Sequence, residues 1–291
     1  MPVDRLIAVK RITVGHTPDA DDAFMFYAIA TGKITSSLLT IRHVIEDIET
    51  LNKRAVNHEL DVTAISAHGY AYVKDYIILS SGGSFGMNYG PLVIAKRHLS
   101  RRELRNCRIA IPGDLTTATL LLKLLIGNFR TKVMNFSRIP KAVLSQSVDA
   151  GLVIHEAQIS KNTQTHTVVD LGRWWYKMTS GLPLPLGINV ASTRSMTISE
   201  IREFDTFLRK SIEYGLSHME DAMKYAMKYA RGSPKELIER FVKMYVNETT
   251  INMGREGEKS IALLLSKGRD QKILSCNRIL FSNSDEVIEL N

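Results

Sequence analysis

Short β-type runs alternate with helical patterns over the first two thirds of this chain, and that alternation constrains its fold more than any other feature. Ile12 to Gly15 reads as a strand and Ala23 to Ala30 as the helix after it; Leu39 to Ile45 reads as the next strand, followed by a helix from Glu49 to Val56. Asp61 to Ile65 is a third strand, with a short helix at Tyr70 to Asp75. Further strands are expected at Pro91 to Ala95, Arg108 to Ile111, Lys132 to Phe136, Gly151 to Ile154 and Thr167 to Leu171. Such β-α order argues for largely parallel sheets with helices on their faces, because parallel strands need crossovers of this length.

The last third changes character. Thr197-Ile198-Ser199-Glu200 is a capping box, and a helix with Phe204, Phe207, Leu208, Ile212, Leu216, Met219 and Met223 on one stripe follows it. Ser233-Pro234-Lys235-Glu236 reads as a second capping box, and Ile261 to Leu265 as part of a third helix, so the C-terminal region is expected to be all helical. Changes near Arg97 and Ser192 suggest two chain crossings. Residues 1–97 with 193–291 would form a larger, discontinuous lobe and 98–192 a smaller one. The expected fold class is thus α/β, two lobes with a hinge and a ligand cleft between them.

At 291 residues the chain is long enough for two lobes, and 44% hydrophobic content is too high for disorder. The net charge of +8 permits an acidic partner. Its densest basic run, Lys96 to Arg108, reads as a solvated helix face, and no nucleic-acid motif accompanies it, so no nucleic-acid partner is expected. Cys107 and Cys276 form no metal or redox motif. The N-terminal residues lack a long apolar core, and no run approaches the roughly 20 apolar residues of a membrane span. The expectation is a cytoplasmic protein without a membrane partner, acting on a small anionic molecule; oligomeric state is left open.

Three loops carry candidate chemistry. Gly15 to Asp22 follows the first strand and opens a helix, where open α/β sheets bind ligands. Asp22 caps the helix or faces the cleft; three aspartates at 19, 21 and 22 exceed what capping needs, and they lack a calcium-loop spacing, so no metal is expected. Pro112 to Thr119 precedes an apolar helix, and Thr116 and Thr117 stand at an N-terminus able to cap it or to hold an anion. Gly151 to Glu156 delivers His155 at a strand end, either as a general base or as a structural hydrogen-bonding residue. Ser66 ends the third strand, and the run Ser80 to Ser84 either lines the cleft or turns the chain. Trp174, Trp175 and Leu182 to Gly187 read as packing beneath a proline-stiffened loop, as an apolar wall or as part of the interlobe connection.

Several segments, in order, resemble the menaquinone-biosynthesis proteins of the futalosine route, and among them the 1,4-dihydroxy-6-naphthoate synthases. They are Asp22 to Phe26, Glu46 to Asn52, Ser81-Gly82-Gly83, Gly90 to Val93, Pro112-Gly113 with Thr116-Thr117, Leu152 to Glu156, Val169 to Gly172 with Trp174-Trp175, and Gly181 to Gly187. The resemblance runs over nearly the full length. It implies the fold of type II periplasmic solute-binding proteins, working in the cytoplasm, and a carbon–carbon lyase acting on cyclic dehypoxanthine futalosine. It also implies His155 as the base, Ser66, Thr116 or Thr117 facing the ligand, Asn52 as a polar cleft residue, and no metal or organic cofactor. Bacterial relatives often read Ser-Pro-Cys-Pro-Asn-Asp in the first loop, where this chain has Thr17-Pro18-Asp19-Ala20-Asp21-Asp22. Chorismate dehydratase shares the fold, and a non-enzymatic binder is the third reading.

Overall fold

A computed structural model describes residues 9–155, 159, 164–229, 234–284 and 287–290. The chain forms two mixed sheets in a two-lobed α/β fold. It begins with β1 (Lys10–His16), whose Ile12 and Val14 are in the core while Lys10, Arg11 and Thr13 are exposed or half-buried. Helices α1 (Ala20–Met25) and α2 (Tyr27–Ala30) follow; the expected single helix is divided at Phe26. Then come β2 (Leu39–Ile45), α3 (Ile48–Val56) and β3 (Val62–Ser66), with β2 and β3 parallel to β1 on either side. Asp47 caps α3 through the amides of Glu49 and Thr50, and Leu51 and Ala55 form the helix's buried stripe.

A 3₁₀ turn over Ala67–Tyr72, earlier than expected, leads to β4 (Tyr76–Ile78) and β5 (Ser84–Gly86). The second sheet holds β6 (Leu92–Ala95), β7 (Arg108–Ile111), β8 (Arg130–Val133), β9 (Ala150–Val153) and β10 (His166–Asp170), in the order β10-β6-β9-β7-β8. Its helices are α4 (Thr117–Ile126), α5 (Ile139–Leu144) and α6 (Leu171–Met178). The chain returns as β11 (Leu184–Ser192), which runs antiparallel to β3, β4 and β5 and completes the first sheet.

Both crossings fall earlier than the changes near Arg97 and Ser192: β6 belongs to the second sheet and β11 to the first. Apolar strands flank each crossing, so composition does not change where the sheet does. The sheets are also less parallel than the β-α order implied, because β6, β10 and β11 pair antiparallel. The expected proline-stiffened loop is the start of β11. Pro185 sits where β11 shifts register against β5, a place that tolerates a residue without an N–H.

The C-terminal region supplies α7 (Ile198–Ser217), α8 (Met219–Ala226), α9 (Lys235–Tyr245), α10 (Glu248–Ile251) and α11 (Gly254–Asp270). The Thr197/Glu200 capping box on α7 is formed. The second expected box depends on Ser233, which lies outside the described residues. The region is not all helical: β12 (Arg278–Leu280) and β13 (Val287–Glu289) pair as an antiparallel ribbon.

Phe24, Met25 and β1 pack with Phe204, Leu208 and Ile238 in one apolar core. A second core spans both lobes, joining Ile65 and Ile78 of the first sheet to Ile109 and Ile111 of the second through Leu121 of α4 and Ile261 and Leu264 of α11. Arg101, Arg102 and Arg105 are exposed beside a 3₁₀ turn at Glu103–Asn106, the solvated face expected. No helix among the described residues is long and apolar enough to cross a membrane.

Candidate active site

The site is built where the ends of β1, β3 and β9 and the middle of β11 meet the N-terminus of α4. A cavity of about 110 Å³ lies there, lined from the first lobe by Thr17, Asp19, Asp21, Asp22, Ser66, Ser84 and Asn189, and from the second by Thr116, Thr117, Ile154 and His155. Phe241 and Tyr245 of α9 complete an otherwise apolar wall.

His155 follows β9 in a left-handed backbone conformation, with φ +58°. Non-glycine residues adopt it at a steric cost, and such strain gathers at functional positions. The ring packs against Phe136, with centroids 4.3 Å apart. Its Nδ1 lies 3.1 Å from Asp19 Oδ2, a contact between the two lobes, and the two side chains are 14% and 3% exposed. Glu156, the next residue of that motif, lies outside the described residues.

The aspartates after β1 have separate jobs. Asp22 turns back along its own loop, and its Oδ2 accepts the Thr17 N–H at 2.6 Å. Burial pushes the Asp22 carboxyl up to about 6, against the bonds from Thr17 and with added repulsion from Asp19. Ser84 donates to Asp21 at 3.4 Å. Among the described residues no group of three or more His, Cys, Asp or Glu side chains is arranged to hold a metal ion.

Ser66 lines the cavity, but Asn52 stands behind it. The Ser66 N–H donates to Asn52 Oδ1 at 2.8 Å, and Asn52 Nδ2 donates to Ser66 Oγ and to Glu49 Oε2. Asn52 is 1% exposed and fixes the end of β3 rather than lining the cavity. Glu49 reaches from α3 to the turn before α4, where it accepts the amides of Asp114 at 3.1 Å and Leu115 at 3.3 Å. Burial raises its carboxyl above the usual range, and those bonds oppose the shift.

Thr116 and Thr117 line the cavity with hydroxyls already engaged by the protein. Thr116 Oγ1 donates to Gly113 O at 2.9 Å and caps α4 through Thr119 N. Thr117 Oγ1 donates to Leu186 O at 2.8 Å and accepts the His68 N–H, tying α4 to β11 and to the 3₁₀ turn. His68 is held well below the usual histidine range, at about 4, by burial, and its Nδ1 faces Thr116 O. His16 is likewise lowered to about 4 by burial and by His43 beside it; it stacks on Phe26 and does not line the cavity.

The polar run after β4 splits in two. Ser80 and Ser81 are buried on Asp205 of α7, which accepts both their amides and both their hydroxyls. Gly82, at φ +76°, faces the cavity, and its carbonyl accepts Asn189 Nδ2 at 2.8 Å. Asn189 lines the cavity, and its Oδ1 is buried with no protein partner among the described residues. Trp175 is fully buried and donates to Pro183 O, so it is packing. Sequence reasoning missed Asp19, Glu49 and Asn189 as individual residues. Asp19 and Glu49 lay within segments already singled out, whereas Asn189 sits in an apolar strand with no flanking signal.

The sequence profile of the menaquinone-biosynthesis family matches residues 12–270. The chain belongs to that family. It is 38% identical over 261 residues to the 1,4-dihydroxy-6-naphtoate synthase of Thermus thermophilus, covering 89% of this chain and 94% of that one. A crystal structure of an Archaeoglobus fulgidus protein superposes with a TM-score of 0.86 at 47% identity, covering 91% of this chain and 98% of that one. The alkanesulfonate-binding protein SsuA from Xanthomonas axonopodis pv. citri, bound to MOPS, gives a TM-score of 0.62 at 12% identity over 92% and 96% of the two chains. That likeness is one of fold, and it makes the architecture periplasmic-binding-protein-like, as the resemblance in sequence implied.

Proposed function

We propose that this family member is a carbon–carbon lyase converting cyclic dehypoxanthine futalosine to 1,4-dihydroxy-6-naphthoate, with His155 as the general base. The observation that carries the reading is the match, across nearly the whole of both chains, to a relative named for that product. Carbon–carbon cleavage beside a hydroxyl begins with loss of the hydroxyl proton, and a histidine at the cavity wall is suited to take it near neutral pH.

The lining supports a sugar-derived substrate. Asp21, Ser66, Ser84 and Asn189 give the lining polar groups that can meet the hydroxyls of such a ligand. The described lining residues include no Lys or Arg, so a ligand with two carboxylates, such as chorismate, has no ion partner among them. A single substrate carboxylate fits the N-terminus of α4 only through its backbone amides, since the Thr116 and Thr117 hydroxyls already bond to protein. The apolar wall of Ile154, Leu186 and Phe241 suits a fused aromatic ring.

His155→Ala tests the assignment. Turnover of cyclic dehypoxanthine futalosine falls by roughly 10²-fold or more while its affinity stays close to wild type. Near-normal turnover in the variant contradicts the role of His155. Tight binding with no turnover in either form makes the protein a binder on this scaffold.

A further inference from the structure

We propose that Asp19 is the positioning partner of His155, holding the imidazole protonated at Nδ1 so that Nε2 carries the lone pair. The inference rests on the reading of His155 as base. Asp19 occupies the N-cap position of α1 with extended backbone, φ −101° and ψ 154°, the place where an aspartate side chain ordinarily accepts a first-turn amide. Here the side chain makes no capping bond. It extends across the cleft, and its Oδ2 stands 3.1 Å from His155 Nδ1. A carboxylate only 3% exposed is costly to bury unless a donor meets it, and the imidazole N–H is that donor.

Three features fit the pairing and are not required by packing alone. His155 holds a strained left-handed backbone that carries its ring over the cleft. Phe136 packs against the ring from its own lobe and limits its rotation. The neighbouring carboxylate Asp22 is turned away, onto the Thr17 amide, while Ser84 lies within reach of Asp21, so Asp19 is the loop carboxylate that meets the histidine. A neutral imidazole that donates through Nδ1 has its lone pair on Nε2, and a carboxylate at Nδ1 stabilises the imidazolium formed when Nε2 takes a proton. Asp19 therefore acts on the chemical step through His155. Because the two residues come from different lobes, the base is set only when the cleft walls meet.

The test combines kinetics with histidine ¹⁵N NMR on the full chain. Asp19→Asn keeps an acceptor of the same shape and removes the charge. Its kcat falls by about 10-fold or more with KM changed by less than about 3-fold, and a thermal melt confirms that it is folded. In a His155→Ala background the same substitution changes the residual turnover by less than about 2-fold, because the partner it acts through is gone. Equal losses with and without His155, or an unchanged kcat, overturn the proposal. The ¹⁵N spectrum of wild-type protein shows His155 protonated at Nδ1, and Asp19→Ala abolishes that preference; a wild-type histidine protonated at Nε2 also overturns it. If wild-type protein fails to turn over cyclic dehypoxanthine futalosine, the functional reading fails, and the NMR result still decides the pairing.

Discussion

Asp22 shows how a single buried carboxylate is held at a cost that depends on pH. Its carboxyl is pushed up to about 6 by burial, above its ordinary 3.8, so between those values the folded chain binds a proton that the unfolded chain has released. The shift therefore lowers stability as pH rises through that window, fully above about 6 and not at all below the ordinary value. Asp22→Asn, which keeps an acceptor for the Thr17 amide, raises the melting temperature by about 2–4 °C at pH 8, and the gain shrinks toward zero by pH 4. A gain that grows on acidification contradicts the account. At this scale the sequence was readable where a polar residue ends or closely follows an apolar strand, as Ser66 and His155 do. Asp19 was not readable, because the loop aspartates are chemically alike and only the fold shows which one reaches the histidine. Asn52 was placed in the cleft and stands behind it, since one helical turn separates facing the cavity from bracing Ser66.

The turn before α4 was legible as a Gly-Asp-Leu-Thr-Thr sequence but not in its use. Its threonines suggested a free anion site, yet Glu49 from the other lobe already receives the amides of Asp114 and Leu115, and both hydroxyls bond to protein. Gly113 is needed because a Cβ there would overlap the Glu49 carboxyl. Gly113→Ala should cost about 1–3 kcal/mol in urea unfolding, and less when Glu49→Ala is also present, because the two share one space. Additive losses contradict this placement. Strand β11 escaped sequence reading for a different reason: Pro183 and Pro185 resemble loop punctuation, and only pairing with β3, β4 and β5 makes the segment a strand. Regular elements such as β2 and β7 were legible to the residue, because alternation and flanking turns bound them.

The two-lobed plan was visible in the sequence because β-α alternation leaves few ways to cover a sheet, and a helical tail must then pack on one of them. The sheet boundaries were not, since they depend on partners distant in sequence. The assembled molecule brings a carboxylate-rich loop of one lobe against a histidine of the other, beside an apolar wall and the N-terminus of α4. The preference for a futalosine derivative over chorismate rests on the match to a relative named for that product and on a described cavity lining without Lys or Arg. The most direct test is to incubate the purified protein separately with cyclic dehypoxanthine futalosine and with chorismate, and to follow products by mass spectrometry. The account predicts 1,4-dihydroxy-6-naphthoate from the first and no change in the second. Dehydration of chorismate, with the futalosine derivative left intact, would contradict it.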